Sequence, residues 1–261
     1  MCGRYTLIRL ADFTDMFPWI RPPETETPAR YNIAPTQPVA VVPNTSEPHV
    51  EFFHWGFIPY WAKDPSIGNR MINARAETLA QKPIFRNALK RRRCLIPTSG
   101  FYEWRRNADG TKTPMYIRMK SGKPFAFGGL WERWNSPDGS EVRSCAIITG
   151  RPNELVRDIH DRMPLILPGD LYKRWLDPGE VPAELIDDML KPYPAPEMEA
   201  VPVSRLVNNP KVDEPRCIES LTADEAAADA ASELPAPKAR TSKSAKGSHR
   251  ATPSPEEGHL F

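Results

Sequence analysis

Cys94–Trp104 reads CLIPTSGFYEW. Apolar and aromatic residues dominate it, as in a strand of a half-buried sheet, and no 3.6-residue repeat runs through it. Downstream, Met115–Met119 (MYIRM), Phe125–Trp131 (FAFGGLW) and Val142–Thr149 (VRSCAIIT) have the same character. Upstream, so do Gly3–Ile8, Val39–Val42 and Val50–Phe57. Helical patterns are shorter: Leu10–Phe17, Pro83–Arg91, Glu154–Ile159, Asp170–Trp175 and Ala183–Leu190. Strands and helices do not alternate regularly, which argues against a doubly wound parallel sheet. The expectation is α+β: an antiparallel, partly closed β-sheet or barrel with short peripheral helices. Thirty prolines, many in loops such as Arg21–Pro28, imply rigid connections.

These elements occupy residues 1–220, which read as one domain. From Leu221 to Phe261 the chain is Ala, Ser, Pro, Lys and Glu, with no aromatic residue before the last position. Such a segment buries too little apolar surface to offset its ordering entropy, so residues 221–261 are expected to be a disordered tail. Within it, Ala223–Ala231 reads as a transient helix with nothing to anchor it. The net charge of +2 announces no polyanionic partner, so any nucleic-acid site must be a local concentration of Arg and Lys. The four cysteines (Cys2, Cys94, Cys145, Cys217) lie far apart, without Cys-x-x-Cys or Cys/His zinc spacing. No metal, cofactor or disulfide is expected, and a reducing cytoplasm is the expected setting. The N-terminus lacks a secretory pattern, and no stretch approaches the roughly 20 apolar residues of a membrane span.

Cys2 follows Met1, and a small second residue permits removal of the initiator. The chain then begins with an amine and a thiol on adjacent carbons. The amine, with a reference pKa of roughly 7.7–8.0, is partly neutral near pH 7 and condenses with aldehydes to a Schiff base. The thiol closes onto the imine carbon to give a thiazolidine. Alternatively Cys2 is a small core hydrophobe, or the thiol of an N-terminal-nucleophile amidohydrolase, and position two alone does not decide.

Further along stand RYNIAPTQ (Arg30–Gln37), WGFIPYW (Trp55–Trp61), INARAET (Ile72–Thr78), GFYEW (Gly100–Trp104), IHDRMPLIL (Ile159–Leu167) and PVSRLVNN (Pro202–Asn209). With MCGRY at the start, this ordered set resembles the SOS-response-associated peptidase (SRAP) family of abasic-site processing proteins. The resemblance runs from Met1 to about Asn209. It implies a nucleophile at Cys2 and further catalytic residues at Asn73, Glu103 and His160. It also implies a covalent sensor or shield of abasic sites in single-stranded DNA, with autopeptidase and lyase or reversal activities. Read alone, Glu103 is a strand carboxylate on a solvated face and His160 a helix C-terminal histidine.

His160 suits proton transfer during sugar ring opening and Glu103 proton transfer at the amine or carbinolamine, an exchange of the two between steps fits equally well, and Asn73 suits positioning. Arg4, Arg75 and Arg162 are candidate phosphate clamps, with pairing to Asp161 or Glu77 as the alternative. Lys90–Arg93 is a second basic cluster, or simply a solvated helix end. Half of the aromatics in Trp55–Trp61 should face the core, leaving Trp61 as a candidate for stacking on a base. The terminal Leu260 and Phe261 resemble peptides that dock on a replication sliding clamp. A non-covalent single-stranded-DNA module remains a third reading.

Overall fold

The stretch Cys94–Trp104 forms two strands in different sheets. In the computed structural model, which describes residues 2–181, 186 and 189–231, β6 (Arg93–Thr98) ends and β7 (Gly100–Arg106) begins around Ser99. The chain changes sheets there because side chains take up backbone groups. The Thr98 hydroxyl donates to the Thr6 carbonyl at 3.0 Å, and Ser99 Oγ accepts from the Ile8 amide at 3.0 Å. Gly100 is required because a Cβ there would lie 2.6 Å from the Tyr116 ring.

The other strands are β1 (Tyr5–Leu7), β2 (Arg30–Ile33), β3 (Pro38–Pro43), β4 (Glu51–Trp55), β5 (Asn73–Arg75), β8 (Lys112–Met119), β9 (Phe125–Asn135), β10 (Glu141–Gly150), β11 (Met163–Pro164) and β12 (Met198–Pro202). One sheet is antiparallel, in the order β12-β8-β7-β1-β2. In the other, β10, β4, β3, β6 and β9 follow one another, and β9 pairs back onto β10 to close a barrel. The expected antiparallel sheet is therefore present and closed in one half. Two pairings within it, β4–β10 and β5–β10, are parallel.

The core lies between the sheets. Tyr5 packs edge-on to Trp55 and Phe127, with centroids 5.3 and 5.7 Å apart, and Phe101 meets Phe127 at 5.9 Å. Along β7, Phe101 joins this core and Tyr102 joins a smaller cluster on the opposite face with Tyr116, Val203 and Val207. Strand alternation then returns Glu103 to the face of Phe101.

Helices are short and peripheral: α1 (Leu10–Met16), α2 (Pro83–Arg91), α3 (Glu154–Arg157), α4 (Tyr172–Trp175) and α5 (Ala223–Ala231). The helix expected over Ala183–Leu190 falls largely outside the described residues. Two expectations need correction. Arg93 is not part of a solvated basic cluster. It is fully buried and donates to the carbonyls of Leu89, Lys90, Trp175, Asp177 and Gly179, satisfying the ends of α2 and α4. Nor is Ala223–Ala231 without an anchor. The Glu225 carboxylate accepts from the Thr222 amide, and the Thr222 hydroxyl from the Glu225 amide. Ala226 is buried, and Asp229 accepts from the Arg205 amide at 3.0 Å.

Candidate active site

Cys2 reaches the site along β1. The Tyr102 amide donates to the Arg4 carbonyl at 3.0 Å, carrying the β1–β7 pairing beyond the strand toward Cys2. Cys2 is fully buried, and its carbonyl accepts from Asn73 Nδ2 at 2.9 Å. Asn73 opens β5, whose parallel register sets Asn73 against Ile147 and Arg75 against Thr149. The carbonyl of the preceding Ile72 accepts from the Trp55 indole at 3.0 Å and the Ile147 amide at 3.1 Å, so this short strand is held at its entry. Asn73 Oδ1 is buried with no hydrogen-bond partner among the described residues.

His160 follows α3. Asn153 caps that helix through the Val156 amide at 3.0 Å, and the His160 amide closes the turn on the Val156 carbonyl at 2.8 Å. Its Nε2 lies 3.9 Å from Glu103 Oε2, an ion-pair distance too long for a hydrogen bond. Nδ1 is within 3.0 Å of the Arg162 amide and 2.9 Å of an Asp161 carboxylate oxygen. One ring nitrogen cannot accept from the first and donate to the second. The amide is fixed by the turn, whereas the Asp161 side chain is 88% exposed. Nδ1 is therefore assigned as acceptor, leaving the neutral ring's proton on Nε2, toward Glu103.

The Glu103 side chain is only 3% exposed, so the solvated-face reading of this residue is wrong. Burial pushes its carboxyl up to about 7. Burial holds His160 below the ordinary histidine range. Glu103 thus changes charge near neutrality, beside a histidine that favours its neutral form. Burial, and next the Glu103 charge, push the Cys2 thiol far up, so the sulfur stays protonated.

The three arginines are placed differently. Arg75 is exposed at the end of β5. Arg162 pairs with Glu77, one of the two partners expected as alternatives to phosphate. Arg4 is half-buried: Nη1 donates to Asn32 Oδ1 at 2.6 Å and to the Val207 carbonyl. In the aromatic segment Trp55 and Phe57 are fully buried, whereas Tyr60 and Trp61 are 62% and 56% exposed. Of Lys90–Arg93, Arg91 and Arg92 pair with Glu180 and Glu132. Leu260 and Phe261 lie outside the described residues.

Two residues escaped the sequence reading. Thr149 is fully buried at the site's edge, and its hydroxyl has no partner among the described residues. Asn32, also fully buried, joins Arg4 to the closing segment by donating to the Val207, Asn209 and Val212 carbonyls. The only signal for either was a polar residue inside an apolar run, which is an ordinary occurrence. Among the described residues no cluster of three His, Cys, Asp or Glu could hold a metal ion, and no helix is long and apolar enough to cross a membrane.

The family model described as SOS response associated peptidase matches residues 1–210. The abasic site processing protein YoqW of Bacillus subtilis (strain 168) is 48% identical over 225 residues, covering 84% of this chain and all of that protein. The abasic site processing protein HMCES of Xenopus tropicalis is 32% identical, over 68% of this chain and 59% of its own length. A crystal structure of a protein from Bacteroides thetaiotaomicron superposes with a TM-score of 0.76 at 27% identity, over 85% of this chain and 100% of that one. Another, from Bordetella bronchiseptica, gives 0.67 at 28%, over 78% of this chain and all of its own. A match that runs from the first residue through the last strand, with a relative nearly half identical over its whole length, leaves one conclusion: this chain belongs to the SOS response associated peptidase (SRAP) family.

Proposed function

We propose that this protein processes abasic sites in single-stranded DNA by joining Cys2 covalently to the lesion. Release of Met1, the step that suits a peptidase name, frees the α-amine of Cys2. An abasic deoxyribose reacts only as its open aldehyde. Opening moves the anomeric hydroxyl proton away and delivers a proton to the ring oxygen, a transfer that His160 and Glu103 perform between them. The amine adds to the aldehyde, and the carbinolamine expels water when Glu103 protonates its hydroxyl. The thiol then adds across the C=N bond, sulfur to carbon and proton to nitrogen, closing a thiazolidine. One water is lost overall, and no oxidant or metal is needed.

One observation carries this reading. Asn73 grips the Cys2 carbonyl at 2.9 Å, while an adjacent buried carboxylate titrates near neutrality within 3.9 Å of a histidine ring. Arg75, Arg162 and Arg4 are proposed to meet the flanking phosphates, Arg162 by exchanging Glu77 for phosphate, and Trp61 to stack on a neighbouring base. The amidohydrolase alternative uses the Cys2 thiol as nucleophile with its own amine as base, and turnover of a glutamine-like amide would favour it. The wider proposal includes lyase or reversal chemistry through His160, work in the cytoplasm at the nucleoid, and clamp docking by Leu260 and Phe261. The last is tested by deleting both residues and measuring clamp binding.

The direct test mixes the protein with an oligonucleotide carrying one abasic site and resolves the products on a denaturing gel. A shifted band formed by the unsubstituted protein, and absent with Cys2→Ala and Cys2→Ser, is expected. A shifted band that persists in Cys2→Ala overturns the assignment.

A further inference from the structure

Beyond Glu103, β7 runs out of the core as Trp104, Arg105 and Arg106, and β8 returns with Lys112. The register sets Arg105 opposite Thr113 and Arg106 opposite Lys112. Like charges directly across an antiparallel pair repel, so this pair destabilises the hairpin. Neither has a compensating partner among the described residues. Arg105, Arg106 and Lys112 are all exposed, and none forms an ion pair or a side-chain hydrogen bond among the described residues. The paired arginines elsewhere differ, as with Arg91 to Glu180, Arg118 to Glu199 and Arg143 to Glu51. The one acid in the turn, Asp109, is occupied by the Thr111 amide and hydroxyl.

The same hairpin borders a cleft of about 460 Å³ lined by Trp104, Gly110, Thr111, Lys112 and Asn208. The Trp104 indole donates to Asn208 Oδ1 at 2.8 Å, which fixes this wall. The cleft begins one residue from Glu103. Lys112 is also close enough for its charge to act on His160, as the smallest of several contributions headed by burial.

We infer that the β7–β8 hairpin is a second phosphate-binding surface, on which Arg105, Arg106 and Lys112 follow the backbone of the DNA strand as it leaves the catalytic pocket. The inference rests on the proposed function for the identity of the polyanion. Uncompensated cations face each other at the end of the strand that carries the catalytic carboxylate, and a string of phosphates relieves that repulsion. Each contact releases counterions, so the surface acts mainly at low salt.

The test measures non-covalent binding of a labelled abasic single strand by anisotropy, in a Cys2→Ser background, from about 50 to 200 mM salt. Two variants are compared: Arg105→Gln/Arg106→Gln/Lys112→Gln, and Arg105→Lys/Arg106→Lys. The glutamine variant is expected to flatten the slope of log Kd against log salt by about 2, from roughly 0.7 per lost single-strand contact. It should weaken binding at low salt roughly tenfold, with an unchanged or higher Tm. The lysine variant should keep the slope. An unchanged slope in the glutamine variant, or an equal loss in the lysine variant, overturns the inference. Adduct formation by the unsubstituted chain is read separately. If it fails while the slope responds, the proposed function falls and the surface stands; if it succeeds while the slope is unmoved, the reverse holds.

Discussion

Replacing Glu103 by glutamine should stabilise the protein and disable it together. The carboxyl is buried between the sheets and pushed up to about 7, from an ordinary value of 4.5. A carboxyl whose folded pKa is raised favours the folded state while it is protonated. That contribution is complete below about 4.5 and disappears as pH rises through about 7. For these values the wild-type protein loses roughly 2–3 kcal/mol of stability at this residue between about pH 5 and pH 8. Glu103→Gln, which cannot ionise, has no such loss. The difference in unfolding free energy, variant minus wild type, should therefore grow by roughly 2–3 kcal/mol from pH 5 to pH 8. In a domain of this size that is roughly 5–10 °C in Tm. Denaturant titrations of both proteins at the two pH values measure it, and titrating groups remote from Glu103 cancel in the difference. Adduct formation at pH 7 should slow by roughly 10²–10⁴-fold, the usual contribution of a general acid or base. A stability difference independent of pH would refute the buried, neutrality-poised carboxylate, and a normal rate would refute its part in the chemistry.

Other perturbations separate scaffold from chemistry. Arg93→Ala should cost about 3 kcal/mol or more, because it leaves buried carbonyls at the ends of two helices without donors; denaturant unfolding measures this, and a loss below about 1 kcal/mol would contradict the reading of Arg93. Asn73→Ala removes the bond to the Cys2 carbonyl, so adduct formation should slow at least tenfold, as followed on gels, with the fold retained by circular dichroism. Trp61→Ala should leave Tm unmoved, since the side chain is more than half exposed, yet weaken single-strand binding by about 1–3 kcal/mol in anisotropy titrations.

The strands with strong β-character were legible because burial of one face or both leaves a mark in composition, as in Phe125–Trp131 within β9. The change of sheet at Ser99 was not, because it depends on Thr6 and Ile8, far away in sequence. Strands as short as β5 and β11 contain too few residues to show a period, and a parallel pairing such as β4–β10 leaves no local trace. The catalytic candidates were legible only through the ordered motifs. Glu103 read by itself points to solvent, and only the two-sheet arrangement buries it. The arginines show the opposite limit: their proximity in sequence to the site was visible, and Glu77 was among the expected partners of one of them, but Asn32 and Val207, which hold Arg4, were set by tertiary packing. Arg93 was misread for the same reason, since a basic run at a helix end ordinarily faces water.

Intact-protein mass spectrometry after reaction with an abasic oligonucleotide tests the covalent role of Cys2 most directly. The expected mass is that of the chain without Met1, plus the oligonucleotide, minus one water, and borohydride leaves it unchanged because no imine remains. A product two mass units heavier after borohydride would place the linkage at a Schiff base and remove the thiol from the mechanism. No adduct at all, with Met1 retained, would contradict the proposed function outright.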